Sequence, residues 1–457
     1  MNTHRHSSLG SRRIATPVLA VAGLVAGGAA SAAPWPQWRG PTGDGRAPAG
    51  GALPVAWSET EHVVWKAPLP GRGWSSPVVD ERLVWMTTAI EREATADEKA
   101  RRAVAPSGGK PRNVATHVSL RALAVDRDTG RLVHDIELLA VDDPQPIHAL
   151  NSYASPSPVL DAGRLWCHFG DFGTACLDTD TGRVVWSTRA LRLDHMNGPG
   201  STPILHDGLL IVHCDGCDVQ EIAALHAATG IVAWRTPRSG PLRDDPDLKK
   251  AYGTPLIVPH AGRDVLVSPA ADWLYAYDPG TGAELWRMSY GELGFSVVPR
   301  PVAGHGFVFM STSFNQPRLL AVRLGDDGRS AEIAWEQRKG APSMPSPLVV
   351  GTRLFMVGDK GVATVLDARD GATVATLRLG GNFSSSPLLA DGRIYVGNHD
   401  GDTFVIDPGV ATDVEPTLLA TNHLDGRIFA TPAAVGDSLY LRTDTALYRI
   451  ATTTAAP

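Results

Sequence analysis

The sequence predicts an all-β fold, an eight-bladed β-propeller built from four-stranded blades. Three observations predict it: a turn motif that recurs along the chain, a strand-forming unit that alternates with it, and a lack of strongly helical stretches. Repeats with a period of about 40–50 residues are typical of solenoids and propellers. A chain of 457 residues is also too long for one ordinary compact domain unless it is built from repeats.

The recurring turn has an aspartate, a short polar stretch, a Thr-Gly pair and, four residues after the glycine, a tryptophan. Asp178–Gly182 followed by Trp186 is a complete copy, and a degenerate copy leads from Asp367 to Ala375. Aspartate and threonine side chains can satisfy backbone groups in a tight turn, and glycine accepts the positive φ there. The closing positions of five copies are 48–52 residues apart: His134, Trp186, Trp234, Trp286 and Trp335.

The alternating unit is a small residue and a proline, an apolar strand, a turn and a second apolar strand. These runs are short, rich in β-branched and aromatic residues, and separated by Asp-Gly or similar turns, so they predict strands. With the strands on either side of the Asp-Thr-Gly turn, each repeat has four strands, A to D. Eight copies close a ring with only short edges. They begin near Ser75, Ser157, Ser201, Thr254, Pro299, Ser346, Ser385 and Thr431.

The ends of the repeat region predict how the ring closes. Val63–Ala67 reads as a D strand with no A, B or C strand before it, whereas the last repeat ends after a C strand at Ala446–Ile450. The N-terminal strand is therefore expected to complete the last blade, and a nine-residue C-terminal truncation to open this non-covalent seam. The propeller is assigned to residues 61–451, after an extension at 33–60 and before a tail at 452–457.

Residues 1–32 predict a secretory signal. Arg5, Arg12 and Arg13 precede the apolar run 14–29, and Ala30-Ser31-Ala32 resembles a cleavage site. The alternative is a membrane anchor, for which this run is short. The pair Arg12-Arg13 hints at twin-arginine export. No cysteine precedes Cys167, so no lipid-anchoring cysteine is expected, and the predicted location is secreted or periplasmic, an oxidising compartment.

The charge balance excludes some partners. Without residues 1–32 the chain keeps 39 basic and 48 acidic residues, a net charge of −9. Such an acidic protein is a poor candidate for binding nucleic acid or an anionic membrane surface. No metal-binding spacing such as H-E-x-x-H occurs among the histidines.

The repeat resembles a known family. Ala276–Trp286 resembles the tryptophan-docking repeat of pyrroloquinoline-quinone (PQQ)-type propellers, over roughly residues 60–450, and Trp35–Pro41 resembles the N-terminal signature of secreted bacterial PQQ-like proteins. The resemblance implies that each tryptophan docks on the adjacent repeat. A structural docking role is therefore predicted for Asp126, Gly130, Asp178, Gly182, Trp186, Trp234, Asp278, Gly282, Trp286 and Trp335.

The resemblance leaves two classes of function open. The family contains quinoprotein dehydrogenases, which bind PQQ and calcium, and non-catalytic propellers such as an outer-membrane assembly factor. The dehydrogenases have an adjacent cysteine pair and long insertions. This chain has no adjacent cysteine pair, and eight blades in residues 61–451 leave little room for such insertions. We therefore expect a monomeric, non-catalytic scaffold without cofactor or metal, binding a protein or peptide of the cell envelope or a small polar ligand. The alternative is a divergent PQQ-dependent dehydrogenase with calcium, or another enzyme such as a hydrolase using the channel face.

The four cysteines form two pairs, each placed about a turn between strands B and C. They are Cys167 with Cys176, and Cys214 with Cys217. Disulfides, free buried thiols, and metal or redox chemistry all remain open. A haem site would need a histidine directly after Cys217, where the chain has Asp218.

Candidate binding residues lie in the loops before strand A and in the B–C turns, which converge on the central channel. Among these candidates His195 most resembles a functional residue, and chemistry is expected near His195 and Asp215. Two charged insertions, 88–116 and 237–250, are also expected on this face, as a lid or partner-docking element or as solvated loops. The twelve candidates are Arg72, Trp74, Asn151, Tyr153, Asp171, His195, Asn197, Asp215, Tyr252, Asn382, His399 and Arg427.

Overall fold

The computed structural model describes residues 1–2, 33–102, 112–409 and 414–452. Most of the predicted signal segment, 3–32, therefore lies outside the described residues. Eight four-stranded antiparallel sheets follow one another along the chain, so the predicted eight-bladed propeller is confirmed. Within each blade the strand order is A-B-C-D.

The strand bounds are as follows, from blade 1 to blade 8. Strands A are Val78–Val79, Val159–Asp161, Ile204–His206, Leu256–His260, Val302–Gly304, Leu348–Val350, Leu388–Ala390 and Ala433–Val435. Strands B are Leu83–Glu93, Arg164–His168, Leu209–Asp215, Arg263–Pro269, Phe307–Ser311, Arg353–Val357, Arg393–Gly397 and Ser438–Arg442. Strands C are Ala115–Asp126, Thr174–Asp178, Gln220–His226, Trp273–Tyr277, Leu319–Leu324, Val362–Asp367, Asp402–Asp407 and Ala446–Ala451. Strands D are Leu132–Asp142, Val184–Thr188, Val232–Pro237, Glu284–Ser289, Ala331–Gln337, Thr373–Arg378, Thr417–His423 and Val63–Pro68.

The ring closes as the sequence predicts. Val63–Pro68 pairs antiparallel with Ala446–Ala451 and forms strand D of blade 8. Trp65 on this strand donates from Nε1 to the Arg127 carbonyl of blade 1 at 2.9 Å. The seam is therefore held both by strand pairing inside blade 8 and by a tryptophan that reaches blade 1.

The Asp-Thr-Gly turns are built from local hydrogen bonds. In blade 2, Asp178 Oδ1 accepts from the Thr181 amide at 2.9 Å and from the Thr181 hydroxyl at 2.8 Å. Gly182 has φ +69° and donates to the Asp178 carbonyl at 2.9 Å. The turns Asp126–Gly130 and Asp278–Gly282 have the same bonds.

The tryptophans that follow these turns lie against the next blade. A Cβ built on Gly230 would lie 2.5 Å from the ring of Trp186, so only glycine leaves room for the indole. Trp234 lies on Gly282 and Trp335 on Gly371 in the same way. Trp286 is buried in the apolar cluster between blades 4 and 5. Each indole therefore covers the seam between two neighbouring blades.

The structure describes all of the 237–250 insertion, and residues 88–102 and 112–116 of the other. Of the first insertion, residues 88–93 and 115–116 extend the B–C hairpin of blade 1, and an α-helix, Ala96–Arg102, follows strand B. Residues 237–250 contain the 3-10 helix Pro246–Leu248. A second 3-10 helix is Gly170–Phe172, and two short strand pairs lie outside the blades: Arg112–Asn113 with Ile147–His148, and Gly294–Phe295 with Phe314–Asn315.

The disulfide candidates require a correction, because all four cysteines are free thiols. Cys167 lies opposite Ala175, and Cys176 lies opposite Trp166. A one-residue offset between paired strands sends the two thiols to opposite faces of the sheet. Cys214 is buried in the apolar core, while Cys217 lies in the B–C turn. Burial raises the pKa of Cys176 and Cys217 to about 11, so neither thiol is a ready nucleophile at neutral pH.

Candidate functional site

A ring of hydroxyl groups forms the neck of the central channel. The residue before the strand A proline carries a hydroxyl in seven blades, and the backbone N–H of one blade donates to the hydroxyl of the next. The ring is interrupted between Thr254 and Arg300, because blade 5 has an arginine at this position. The seven bonds run from Ser76 to Ser157, Ser157 to Thr202, Thr202 to Thr254, Arg300 to Ser346, Ser346 to Ser386, Ser386 to Thr431 and Thr431 to Ser76, at 2.8–3.1 Å.

The N-terminal extension crosses the channel on the far side of this neck. We call residues 35–47 the plug. Trp35 exchanges two 2.8 Å backbone hydrogen bonds with Val79 of blade 1, and Ala47 donates to Leu389 of blade 7 at 2.8 Å. Between them, Trp38 donates from its indole to Thr431 of blade 8 at 3.1 Å. The plug also bonds to blades 2, 5 and 6. A segment that reaches six blades must span the channel.

Above the plug the channel is a funnel of about 660 Å³ with Trp38 among its lining residues. Loops before strand A and B–C turns both reach it, as the sequence predicts for a propeller face. Its wall is mostly apolar and aromatic, with hydroxyl and amide groups between the rings, which is the usual character of a ligand site. The aromatic lining residues are Trp38, Trp74, Tyr252, Phe295, Phe314, Phe383 and Phe429.

One side of the funnel is a column of stacked rings from blades 1, 7 and 8. Trp74 stacks on Phe429 with ring centroids 4.3 Å apart, and Phe429 stacks on His399 at 4.2 Å. Arg427 lies over Phe429 and Arg72 over Trp74, at 4.7 and 5.3 Å. These stacking and cation–π contacts fix three separate loops in one arrangement.

A serine and a histidine are in hydrogen-bond contact beside this column. Ser384 Oγ lies 2.8 Å from His399 Nε2, and both residues line the funnel. Burial, together with the nearby charge of Arg427, lowers the pKa of His399 to about 4. The imidazole is therefore neutral at pH 7.

Six of the twelve predicted binding residues line the funnel, and six do not. Trp74, Asn151, Asn197, Tyr252, Asn382 and His399 line it. Arg72 and Arg427 lie over two rings of the aromatic column, Trp74 and Phe429. Tyr153 is buried against Phe172, and Asp171 forms an ion pair with Arg192 at 2.8 Å. Sequence reasoning missed the floor residue Trp38 and the hydroxyl ring, although the recurrent hydroxyl before proline was a visible signal.

His195 and Asp215, where the sequence predicts chemistry, are buried and do not line the funnel. His195 is 3% exposed, and its Nε2 accepts from the Asp171 amide at 2.9 Å. Asp215 is 2% exposed and forms a bidentate pair with Arg238, at 2.9 and 2.7 Å. Arg238 belongs to the 237–250 insertion, so this aspartate anchors the insertion to the blade.

The burial of His195 leads to a pH prediction. Burial lowers its pKa to about 3, whereas an unfolded histidine titrates near 6.5. The unfolded state therefore binds the additional proton. The contribution of His195 to the free energy of unfolding falls as the pH drops from about 6.5 towards 3. We expect His195→Gln, whose side-chain oxygen can accept the same bond, to lose less stability than wild type between pH 7 and 4. The difference, measured by urea unfolding, should be up to about 3 kcal/mol. Equal losses would contradict it, and His62→Gln is a control on a less buried histidine.

Comparison with known proteins identifies the family. The family described as outer membrane protein assembly factor BamB matches residues 118–271 and 270–455. The chain belongs to this PQQ-like propeller family. No curated protein matches the sequence.

Solved structures of PQQ-like propellers share the fold at low sequence identity. BamB from Moraxella catarrhalis has a TM-score of 0.50 at 12% identity, covering 80% of this chain and 99% of that one. A europium-containing methanol dehydrogenase has a TM-score of 0.59 at 11% identity, covering 90% of each chain. Quinohemoprotein alcohol dehydrogenase from Comamonas testosteroni has a TM-score of 0.51 at 12% identity, covering 93% and 81%. Such identities establish the fold alone.

The residues of this PQQ-like funnel do not fit a calcium–quinone site. Asp359 is the single carboxylate that lines the described funnel, and its Oδ1 already accepts from the amides of Ser343 and Met344. In the described part of the chain no three His, Cys, Asp or Glu residues are grouped to hold a metal ion. Calcium prefers six to eight oxygen ligands, several of them carboxylates.

The described residues include no helix that is long and apolar enough to cross a membrane.

Proposed function

We propose that this PQQ-like propeller is a non-catalytic binding scaffold of the cell envelope, secreted or periplasmic, whose funnel accepts a polypeptide segment. The observation that carries the proposal is the funnel itself, a largely apolar, aromatic cavity of about 660 Å³ above the plug. Side-chain amides such as Asn197 and hydroxyls such as Thr202 line it between the rings. An extended peptide offers both apolar side chains and backbone groups, and this lining matches both.

The funnel mouth also has exposed apolar side chains. Leu150 is 52% exposed and Phe314 is 39% exposed, and both line the funnel. Exposed apolar groups around a concave site indicate binding when they are grouped. They favour a ligand with an apolar surface over a highly charged one.

A photo-crosslinking experiment tests the scaffold proposal. A benzoylphenylalanine at position 150 should crosslink to a polypeptide in envelope extracts, and mass spectrometry should map the adduct. The matched control is the same residue at position 419, where Leu419 is 44% exposed on strand D of blade 7. Adducts at both positions, or at neither, would contradict selective binding in the funnel.

Adding PQQ and calcium to the purified protein separates the scaffold from the dehydrogenase alternative. The scaffold proposal expects no bound quinone absorbance and no dye-linked alcohol oxidation. Appearance of both would replace it with a quinoprotein function.

A hydrolase is the second candidate, because Ser384 Oγ and His399 Nε2 are in contact within the funnel. A serine hydrogen-bonded to a neutral histidine is the start of a nucleophile–base pair. The contact alone supplies no group that orients the imidazole from its other nitrogen, so we rank it below the scaffold. A fluorophosphonate probe that labels wild type but not Ser384→Ala would support the hydrolase, and no labelling would leave the scaffold.

A further inference from the structure

Two arginines are buried where the plug meets blades 5 and 6. Arg300 is 4% exposed and occupies the blade 5 position at which the other seven blades have a hydroxyl. Arg39, in the plug, is 0% exposed. Its Nη2 donates to the Pro347 carbonyl at 2.6 Å and to the Asp44 carbonyl at 2.8 Å. Both guanidinium groups are therefore buried away from water at the same end of the channel.

Both guanidinium groups contact one glycine-rich turn of the plug. A Cβ built on Gly43 would lie 2.3 Å from Arg300 Nη1, and one built on Gly45 would lie 2.7 Å from Arg39 Nη2. Both glycines have positive φ, +69° and +88°. The turn thus brings two positive charges to adjacent positions with no side chain between them and its backbone.

The local carboxylate compensates these two charges only in part. The negative charge of Asp44 favours the charged form of both arginines. Its two oxygens already have other partners, because Oδ2 pairs with Arg46 Nε at 3.0 Å and Oδ1 accepts from Thr42 Oγ1 at 2.6 Å. In the described part of the chain, Arg39 Nε and Nη1 and Arg300 Nε have no hydrogen-bond partner. Burial lowers the pKa of Arg39 to about 9 and of Arg300 to about 10, so both stay charged at neutral pH.

We propose that Arg39 and Arg300 bind a small inorganic anion, of which chloride is the type, beneath the floor of the funnel. Buried charges are stable when paired and hydrogen-bonded. One monovalent anion accepting from the unpartnered guanidinium nitrogens would neutralise one charge and relieve the repulsion. Because Arg300 Nη1 also donates to the Trp38 carbonyl, at 3.4 Å, the anion would stabilise the floor of the funnel.

Thermal unfolding in chloride and in gluconate tests this proposal at equal ionic strength. A ligand that binds only the folded state raises its stability with concentration, and a buried site of this kind excludes gluconate. We expect the wild-type Tm to rise by about 2–5 °C between about 10 and about 500 mM chloride, and to stay constant in gluconate. An equal response to both salts would overturn the proposal.

The discriminating variant is Arg300→Ser, which gives blade 5 the hydroxyl found in the neighbouring blades. It should lose the chloride response while keeping the fold. Arg323→Ser removes an exposed arginine paired with Glu332 and should keep the response. A full chloride response in Arg300→Ser would overturn the site. If that variant does not fold, bromide-soaked wild-type crystals decide: an anomalous peak between the two guanidinium groups supports the proposal, and its absence overturns it.

Discussion

Removing strand C of blade 8 is expected to abolish cooperative unfolding of the whole propeller. A chain that ends at Thr445 lacks Ala446–Ala451, the strand that lies between Ser438–Arg442 and Val63–Pro68. Leu447, Tyr448 and Ile450 of this strand are 0% exposed, and their loss opens an apolar cluster to water. Strand D then has no neighbour in its sheet, so the ring becomes an open array of blades.

Urea unfolding followed by both fluorescence and circular dichroism measures this effect. Wild type should give one transition that coincides for both probes, while the shortened chain should give broad, non-coincident transitions with a lower midpoint. A chain ending at Thr452 keeps every strand and is the control. A single sharp transition at the wild-type midpoint in the chain ending at Thr445 would show that the seam does not hold the ring closed.

The blades could be predicted from the sequence because their determinants are local. The Asp178 side chain bonds within its own turn, and Gly182 takes the positive φ that the turn requires. The repeat then fixes the number of blades, and the unmatched strands at the two ends predict the seam. Each of these features depends on residues a few positions apart or on a count of repeats.

The floor of the funnel could not be predicted in this way, since its contacts join distant parts of the chain. Trp38 bonds to Thr431, 393 positions away. Nothing in the local sequence of Trp35–Pro41 indicates that it crosses a channel. Its resemblance to an N-terminal family signature indicates the family but does not predict where the segment lies in the fold.

The burial of two polar residues, Asp215 and His195, could not be predicted from the sequence either. Asp215 is the last residue of strand B in blade 3 and directly precedes a turn, so its sequence context suggests an exposed loop residue. Its burial is set by Arg238, which comes from the next connection and pairs with it. His195 is buried because Gly170 leaves space for its ring: a Cβ there would lie 1.9 Å from His195 Nε2. Exposure in a loop depends on such partners, and single-sequence patterns do not identify them.

Replacing Trp186 by alanine is expected to destabilise the protein by about 2–4 kcal/mol without changing what the funnel binds. The indole lies on Gly230 of blade 3 and donates from Nε1 to the Ala227 carbonyl at 3.0 Å. Its side chain is half-buried rather than fully enclosed, which places the loss below that of a fully buried tryptophan. The measurement is the free energy of unfolding in urea, with crosslinking at position 150 as the functional readout.

Two phenylalanine variants separate the packing of this tryptophan from its hydrogen bond. Trp186→Phe keeps a ring on Gly230 but loses the bond to Ala227. A Cβ built on Gly282 would lie 2.5 Å from the ring of Trp234, as one on Gly230 would from Trp186. Because Trp234 Nε1 has no partner among the described residues, Trp234→Phe loses packing alone. Trp186→Phe should therefore cost about 0.5–1.5 kcal/mol more than Trp234→Phe. Equal losses in the two variants would assign the docking energy to the ring alone. A Trp186 variant that loses crosslinking at position 150 but keeps its stability would make Trp186 a binding residue, because a docking tryptophan is expected to change stability.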